Sequence, residues 1–115
     1  MAILNLTLQF IDKESRLNLL KGIADSLNPG GILVLTEKIE SDDLFEQQRM
    51  TELYHAFKKS RGYSELEISQ KRTALENVLV SDTHQIHLER LEVAGFSEVY
   101  RVYHCFMFTT YLAIK

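Results

Sequence analysis

Hydrophobic residues follow two different spacings along this chain. Residues 2–6 and 32–35 form short apolar runs, and residues 96–102 and 106–114 are rich in aromatic and β-branched side chains. Such runs predict strands, the first two buried on both faces and the last two paired as an antiparallel hairpin turning around residues 103–105. Between these runs, apolar residues recur every three or four positions, which predicts helices.

The first two helices have clear start or stop signals. Asp12 can cap the first one, and Asn28-Pro29-Gly30-Gly31 ends it, because proline cannot continue a helix and glycine tolerates the turn. The second is expected over residues 42–60, with an apolar stripe that includes Tyr54 and a stop at Gly62.

Two further helices follow. Ser64 and Glu67 form a capping box for a helix expected to run to about Val80. Asp82, with Gln85, suggests the start of another helix, which ends at residues 94–95. The element order is therefore β-α-β-α-α-α-β-β. This order predicts an α/β fold with a mixed sheet of about four strands, a parallel pair joined by a right-handed crossover, and a closing antiparallel hairpin.

Composition narrows the class of protein. The 115 residues suit one domain, since 45% are hydrophobic and 25% are charged. A net charge of −3 argues against a domain that binds nucleic acid directly through phosphate neutralisation. The single cysteine excludes an intrachain disulfide and suits a reducing compartment. Without a membrane-spanning run or a leader pattern, we expect a soluble, cytoplasmic protein with no membrane partner.

Several segments resemble one family. The Asn28-Pro29-Gly30-Gly31 turn before a strand, and Ala94-Gly95-Phe96 before a final hairpin, are similar to the second half of S-adenosylmethionine-dependent methyltransferases. Residues 4–10 (LNLTLQF) and 62–72 (GYSELEISQKR) resemble the carboxy-S-adenosyl-L-methionine synthase family more specifically, and residues 75–78 (LENV) and 105–106 (CF) fit as well. The resemblance covers nearly the whole chain.

The resemblance implies a Rossmann-like methyltransferase fold and a specific reaction. Family members bind S-adenosylmethionine and prephenate and produce carboxy-S-adenosylmethionine, which a second enzyme uses to modify the tRNA wobble uridine. The family enzyme is a homodimer. By resemblance, Asn5 contacts the cofactor, and Arg72 pairs with the carboxylate that distinguishes the product from S-adenosylmethionine. Residues 42–80 would be a helical insertion that shapes the substrate and dimer side.

This chain departs from the family in one respect. It contains no glycine-rich G-x-G-x-x-G turn, which in the family lies in the first half and approaches the cofactor. We therefore expect the C-terminal half of such an enzyme, inactive alone, that forms a dimer or exchanges elements through its exposed first strand. A noncatalytic self-association or partner-binding module and half of a generic small-molecule methyltransferase remain alternatives.

The two candidate cofactor-binding residues also have purely structural explanations. Arg72 lies four positions after Ile68, beside a stripe expected to bury Ile68, Leu75, Val78 and Leu79, and its guanidinium can present two donors to a carboxylate. It can equally pair with Glu76 one turn on. Asn5 lies near the carboxyl end of the first strand, where ligands of open α/β sheets bind, or it can simply satisfy local backbone.

Other polar residues also have both functional and structural explanations. Thr7 and Gln9 could line the crevice beside Asn5. A basic cluster between two helices could attract a dicarboxylate or a tRNA, or be a solvated surface. That cluster consists of Lys58, Lys59, Arg61, Lys71 and Arg72. His84 and His87 share a helix face but lack a third ligand, so no metal site is predicted. Cys105 beside His104 is expected to be buried and inert, because neighbours in a strand point to opposite faces.

Overall fold

A computed structural model describes residues 1–75 and 78–115. Its four main strands are β1 (Ala2–Asn5), β2 (Ile32–Glu40), β4 (Glu98–Cys105) and β5 (Phe108–Ile114). They form a mixed sheet in the order β1-β2-β5-β4. A two-residue strand, β3 (Asp82–Thr83), continues the sheet beside the end of β2. The α/β fold with a mixed sheet is confirmed.

Four α-helices connect or flank these strands. They are α1 (Lys13–Ser26), α2 (Leu44–Ser60), α3 (Glu65–Leu75) and α4 (His84–Ala94). A 3-10 helix at Leu8–Phe10 lies between β1 and α1.

The expected helix boundaries are mostly close to the observed ones. Asp43 caps α2 by accepting hydrogen bonds from two backbone N–H groups. Asp12 does stand at the start of α1, but its carboxylate makes no capping bond. Ser64 caps α3 as expected, because its Oγ accepts from Glu67 N–H at 3.1 Å, but the Glu67 carboxylate accepts from Ser64 Oγ at 3.2 Å instead of making the reciprocal bond of a capping box.

Two expectations about helix ends were wrong in detail. Helix α3 ends at Leu75 rather than near Val80, because Val80 N–H donates to the carbonyl oxygen of Gln9 at 3.0 Å. Asp82 belongs to β3, and the cap of α4 is Thr83, whose hydroxyl accepts from Ile86 N–H at 3.3 Å. Residues 76 and 77, which the longer helix would have included, lie outside the described residues.

The closing hairpin forms as predicted, but its turn lies two positions later than expected. Strand β4 extends to Cys105, and Phe106 and Met107 form the turn. Phe106 has a φ of +52°, which is unusual for a residue other than glycine. Its ring packs 5.7 Å from Tyr54 and 5.5 Å from Phe57 on α2, so tertiary packing holds this conformation.

Alternation along β2 places the core on one face of the sheet. Leu33, Leu35, Glu37 and Ile39 are buried, whereas the residues between them are half-buried. The core cluster joins this face to α1 and α4 through Leu20, Ala24, Leu91, Ala94 and Tyr111.

The turn before β2 is built as its glycines suggested. Gly31 N–H donates to the carbonyl oxygen of Asn28 at 2.7 Å, and Gly30 has a φ of +77°. A Cβ on Gly31 would lie 2.8 Å from the Asn28 oxygen, so this position requires glycine.

Strand β1 is an edge strand and pairs in parallel with β2 on one side only. It is not covered on both faces as its composition suggested, since Ile3 is 61% exposed. The apolar run of residues 2–6 therefore corresponds to an edge strand whose second edge has no strand partner among the described residues.

Candidate functional site

A cleft of about 630 Å³ lies at the end of the sheet where β1 and β2 finish. Lys38 and Glu40 at the carboxyl end of β2 line it, and α2 and α3 contribute its side walls. Met107, from the hairpin turn, lines it as well. Ligands of open α/β sheets bind at this edge, so the cleft is the candidate site.

The cleft is strongly cationic. Five basic residues line it, and Glu40 is the one acidic lining residue in the described part of the chain. The basic residues are Lys13, Lys38, Lys58, Lys71 and Arg72. Such an excess of positive charge within one cleft favours an anionic ligand.

The cations in the cleft act on one another and on a histidine. Burial, together with the charges of Lys58 and Arg72, lowers the pKa of Lys38. Burial and the charges of Arg72, Lys58 and Lys38 lower the pKa of His55. His55 is therefore a neutral imidazole at neutral pH, able to donate and accept hydrogen bonds beside the cations.

Arg72 lies in the last turn of α3, and its side chain lines the cleft. Of the stripe that was expected to bury this helix, Ile68 is buried at 7% exposure, whereas Val78 is 57% exposed. The stripe was therefore wrong beyond α3, although Arg72 does flank Ile68. The alternative pairing with Glu76 falls on a residue outside the described part.

Asn5 ends β1 at the same edge of the sheet, opposite Thr36 of β2. It is exposed, and it is not among the residues that line the 630 Å³ cleft. The next residue, Leu6, has a φ of +52° and donates its N–H to the Thr36 carbonyl oxygen at 2.8 Å. The structure thus does not bring Asn5 and Arg72 into one cavity within this chain.

Thr7 and Gln9 do not extend the crevice. Thr7 Oγ1 donates to the carbonyl oxygen of Asn5 at 3.0 Å. Gln9 is buried, and its Oε1 accepts from Lys38 N–H at 2.9 Å. Both side chains satisfy the backbone near the strand ends, and Gln9 fixes the main chain of a cleft residue.

The predicted basic cluster divides into two parts. Lys58, Lys71 and Arg72 line the cleft, but Lys59 forms an exposed ion pair with Glu65. The Arg61 guanidinium lies 5.5 Å from the ring centre of Phe57. Lys38, which sequence spacing did not single out, joins the first part because β2 ends there.

His84 and His87 both pack against Tyr111. His84 Nδ1 lies 2.8 Å from the Tyr111 hydroxyl, and their rings are stacked. His87 is buried, and burial with the nearby charge of Arg90 lowers its pKa to about 4, despite the opposing charge of Asp82. Within residues 1–75 and 78–115, no cluster of three metal-ligating side chains occurs.

The neighbours His104 and Cys105 do not form a reactive pair in this structure. His104 Nδ1 lies 2.8 Å from Thr109 Oγ1 across the hairpin. Cys105 is a free thiol that is half-buried, so the expectation that it is buried was wrong. The histidine is thus engaged with the adjacent strand.

A buried ion-pair network behind the cleft was not predicted. Arg16 is 1% exposed, and its Nη1 donates to Asp82 Oδ2 at 2.6 Å. Arg90 and Lys13 also contact this carboxylate. Burial alone would raise the pKa of Asp82, but Arg90 and the other two cations outweigh it and lower the pKa to about 2.

This network positions one wall of the cleft. Arg16 Nη2 donates to the carbonyl oxygens of Gln9 and Val80, and Val80 lines the cleft. The sequence did contain a signal that Arg16 is buried, because Arg16 lies four positions before Leu20 and eight before Ala24, both of which are buried. An arginine in that register lies on the core-facing side of α1.

Within the part of the chain that is described, no helix has the length and apolar character needed to cross a bilayer.

Solved structures share this fold. The chain superposes on "PigF with SAH" with a TM-score of 0.62 and 18% identity, covering 98% of this chain and 29% of that one. It superposes on human N-acetylserotonin methyltransferase in complex with SAM with a TM-score of 0.61 and 19% identity, covering 98% and 28%. The fold is that of part of a SAM-dependent methyltransferase.

Curated proteins identify the relatives more narrowly. The chain is 54% identical over 114 residues to carboxy-S-adenosyl-L-methionine synthase of Hahella chejuensis, covering 99% of this chain and 46% of that protein. The synthase of Colwellia psychrerythraea is 52% identical over 115 residues, covering 100% and 47%. No family model matches. This chain is a homologue of the carboxy-S-adenosyl-L-methionine synthases and spans about half the length of those it matches.

Proposed function

We propose that this chain forms the carboxylate-recognising part of a carboxy-S-adenosyl-L-methionine synthase, in which S-adenosylmethionine and prephenate yield carboxy-S-adenosylmethionine. The cationic cleft at the end of β2 carries this proposal. Arg72 lines that cleft, and the planar guanidinium suits a carboxylate better than an ammonium group does. Identity of about half over the whole chain to proteins named for this product supports the same role.

The cofactor, S-adenosylmethionine or its carboxylated form, would contact Asn5 as well as Arg72. The exposed position of Asn5 at the carboxyl end of β1 supports this contact, because its side chain is accessible at the edge where such ligands bind. Asn5 would hold the common part of the cofactor, and Arg72 the added carboxylate. Lys58 and Lys71 would strengthen the field that attracts acidic ligands.

Residues 42–80 would shape the substrate side and a dimer side. In support, α2 and α3 both contribute to the cleft walls, and α2 has no fully buried side chain. Phe45 on α2 is 72% exposed, and the open edge of β1 offers a second contact surface. We propose a homodimer or an element-swapped oligomer on this basis.

The wider role would be in tRNA modification in the cytoplasm. The product would pass to a second enzyme that carboxymethylates a hydroxyuridine at the wobble position. The net charge of −3 supports a protein that binds the small molecules and does not bind the tRNA itself.

A chimera tests the proposed role of Arg72. This chain would replace the matching region of the Hahella chejuensis synthase, and calorimetry would measure the binding of carboxy-S-adenosylmethionine and of S-adenosylmethionine. Arg72→Lys should weaken binding of the carboxylated ligand about tenfold, because a bidentate charged pair is lost, and leave S-adenosylmethionine binding nearly unchanged. Arg61→Lys, outside the cleft, is the control. Equal affinity for the carboxylated ligand with and without Arg72 would overturn the assignment.

A further inference from the structure

Lys38 is held in the cleft by the core of the protein. It is half-buried near the end of β2, between the buried Glu37 and Ile39. Its N–H donates to Gln9 Oε1 at 2.9 Å, which fixes the main chain from which its side chain enters the cleft. Among residues 1–75 and 78–115, no carboxylate lies within ion-pair distance of Lys38.

Lys58 lines the same cleft from α2. Its Nζ lies 4.4 Å from the ring centre of Tyr54, a cation–π contact one turn away on α2. The Tyr54 ring packs in turn on Phe106 at 5.7 Å and on Phe108 at 5.5 Å. The hairpin therefore sets the position of the tyrosine that orients Lys58.

Two ammonium groups that line one partly buried cleft repel each other, and they favour an anion that can bind both. The mutual influence is visible in the lowered pKa of Lys38, to which burial contributes first and Lys58 next. Arg72 contributes a further positive charge from α3. A single ligand carboxylate bound to Arg72 would leave the positive charges of Lys38 and Lys58 without an anionic partner from the ligand.

We infer that Lys38 and Lys58 form a second anion subsite, which binds an acidic group of the co-substrate while Arg72 binds another carboxylate. This inference rests on the proposed function and adds the residues that would recognise the co-substrate. Lysine suits this task because its ammonium is a compact point charge with three rotatable donors, adaptable to a small organic acid.

His55 offers a reporter within the same cleft. Burial and the charges of Arg72, Lys58 and Lys38 lower its pKa. An anion bound among these cations offsets their charges, so the pKa of His55 should rise when the subsite fills. Proton NMR of the histidine rings in the 115-residue chain would follow this rise during titration with malonate, with neutral malonamide as the blank and ionic strength held constant.

Matched variants decide whether the lysines carry the binding. Lys38→Gln and Lys58→Gln should each weaken malonate binding about tenfold. Lys59→Gln is the control, because it removes the same charge from the neighbouring position, which pairs with Glu65 outside the cleft. That variant should change the affinity by less than about twofold.

Folding does not obscure the result. Lys58 lies on α2, which has no fully buried side chain, so its replacement leaves the core intact. Lys38→Arg keeps the charge and should retain binding if Lys38→Gln loses it. Unchanged malonate affinity in Lys58→Gln, or an equal loss in Lys59→Gln, would overturn the subsite.

The subsite can fail independently of the proposed function. If the chimera prefers carboxy-S-adenosylmethionine through Arg72 while the lysine variants bind malonate normally, only the second subsite is wrong. If malonate binding needs both lysines while Arg72→Lys leaves the chimera unchanged, the subsite stands and the proposed role of Arg72 fails.

Discussion

Replacing Arg16 with methionine should unfold the chain at a much lower urea concentration. The guanidinium makes four hydrogen bonds: Nε to the Ile11 carbonyl oxygen at 2.9 Å, Nη1 to Asp82 at 2.6 Å, and Nη2 to the carbonyl oxygens of Gln9 at 3.2 Å and Val80 at 2.8 Å. Methionine fills much of the volume but supplies none of these donors. The variant therefore isolates the polar contribution of a side chain that is 1% exposed.

The magnitude follows from what the variant leaves behind. Removing one partner of a buried ion pair costs about 3–5 kcal/mol when the other charge is left uncompensated. Asp82 keeps Arg90 at 2.6 Å and Lys13 at 3.2 Å, so its charge stays balanced and the lower end applies. The carbonyl oxygens of Ile11 and Val80 lose their contacts with Arg16. We expect a loss of about 3 kcal/mol, a large share of the stability of a small domain.

Urea unfolding followed by circular dichroism measures this loss as a lower midpoint at an unchanged slope. Arg90→Met is the matched control, since Arg90 is 11% exposed and makes one bond to Asp82. It should cost about 1–2 kcal/mol. An Arg16→Met variant that loses less than Arg90→Met would refute the view that Arg16 holds the cleft wall.

Three other predictions test separate parts of the structure. Burial lowers the pKa of His87 from 6.5 to about 4, so as the pH falls the unfolded chain binds a proton at His87 before the folded chain does. The contribution of His87 to the free energy of unfolding should therefore be complete above about pH 6.5 and should fall by up to about 3 kcal/mol toward pH 4. His87→Leu should remove most of this pH dependence of the melting temperature. An unchanged pH dependence would mean that other titrating groups cause it. Glu37→Gln should lower the free energy of unfolding in urea by about 1–3 kcal/mol. Both carboxylate oxygens of Glu37 accept backbone N–H groups of the 3-10 helix, and the NH₂ group of glutamine cannot replace one of these acceptors. An unchanged free energy of unfolding would contradict this capping role. Gly95→Ala should cost about 1–2 kcal/mol through its φ of +112° alone, because the new Cβ would meet only the Ala24 Cβ at 3.9 Å. Gly22→Ala, in open space within α1, should instead stabilise by up to about 1 kcal/mol, and equal effects at both glycines would argue against backbone strain.

Local patterns predicted the elements whose cause is local. The Asn28-to-Gly31 turn follows from proline and glycine stereochemistry, and the end of α4 follows from Gly95, which adopts a φ of +112°. The hairpin turn was displaced because Phe106 takes the positive φ that a two-residue hairpin turn requires, and no glycine or asparagine marks that position in the sequence. No periodicity within the hairpin contains that information.

Contacts between distant segments account for the rest. Arg16 and Asp82 are 66 positions apart, and their pairing draws Asp82 into β3 instead of the start of a helix. Arg72 was identified through resemblance, and the structure adds that it lies in a cationic cleft. Lys38 was not predicted as a cleft residue, because nothing in the sequence around it indicates that β2 and Lys58 of α2 line one cleft. Fold class could be predicted from pattern, but the composition of the cleft required the folded chain.

Product formation by the chimera with the Hahella chejuensis synthase tests the central claim most directly. The chimera would be incubated with S-adenosylmethionine and prephenate, and mass spectrometry would measure carboxy-S-adenosylmethionine. The account predicts that product, with a marked loss in the Arg72→Lys chimera and none in Arg61→Lys. A folded chimera that binds S-adenosylmethionine but forms no carboxylated product would contradict the account and favour a binding module or a generic methyltransferase half.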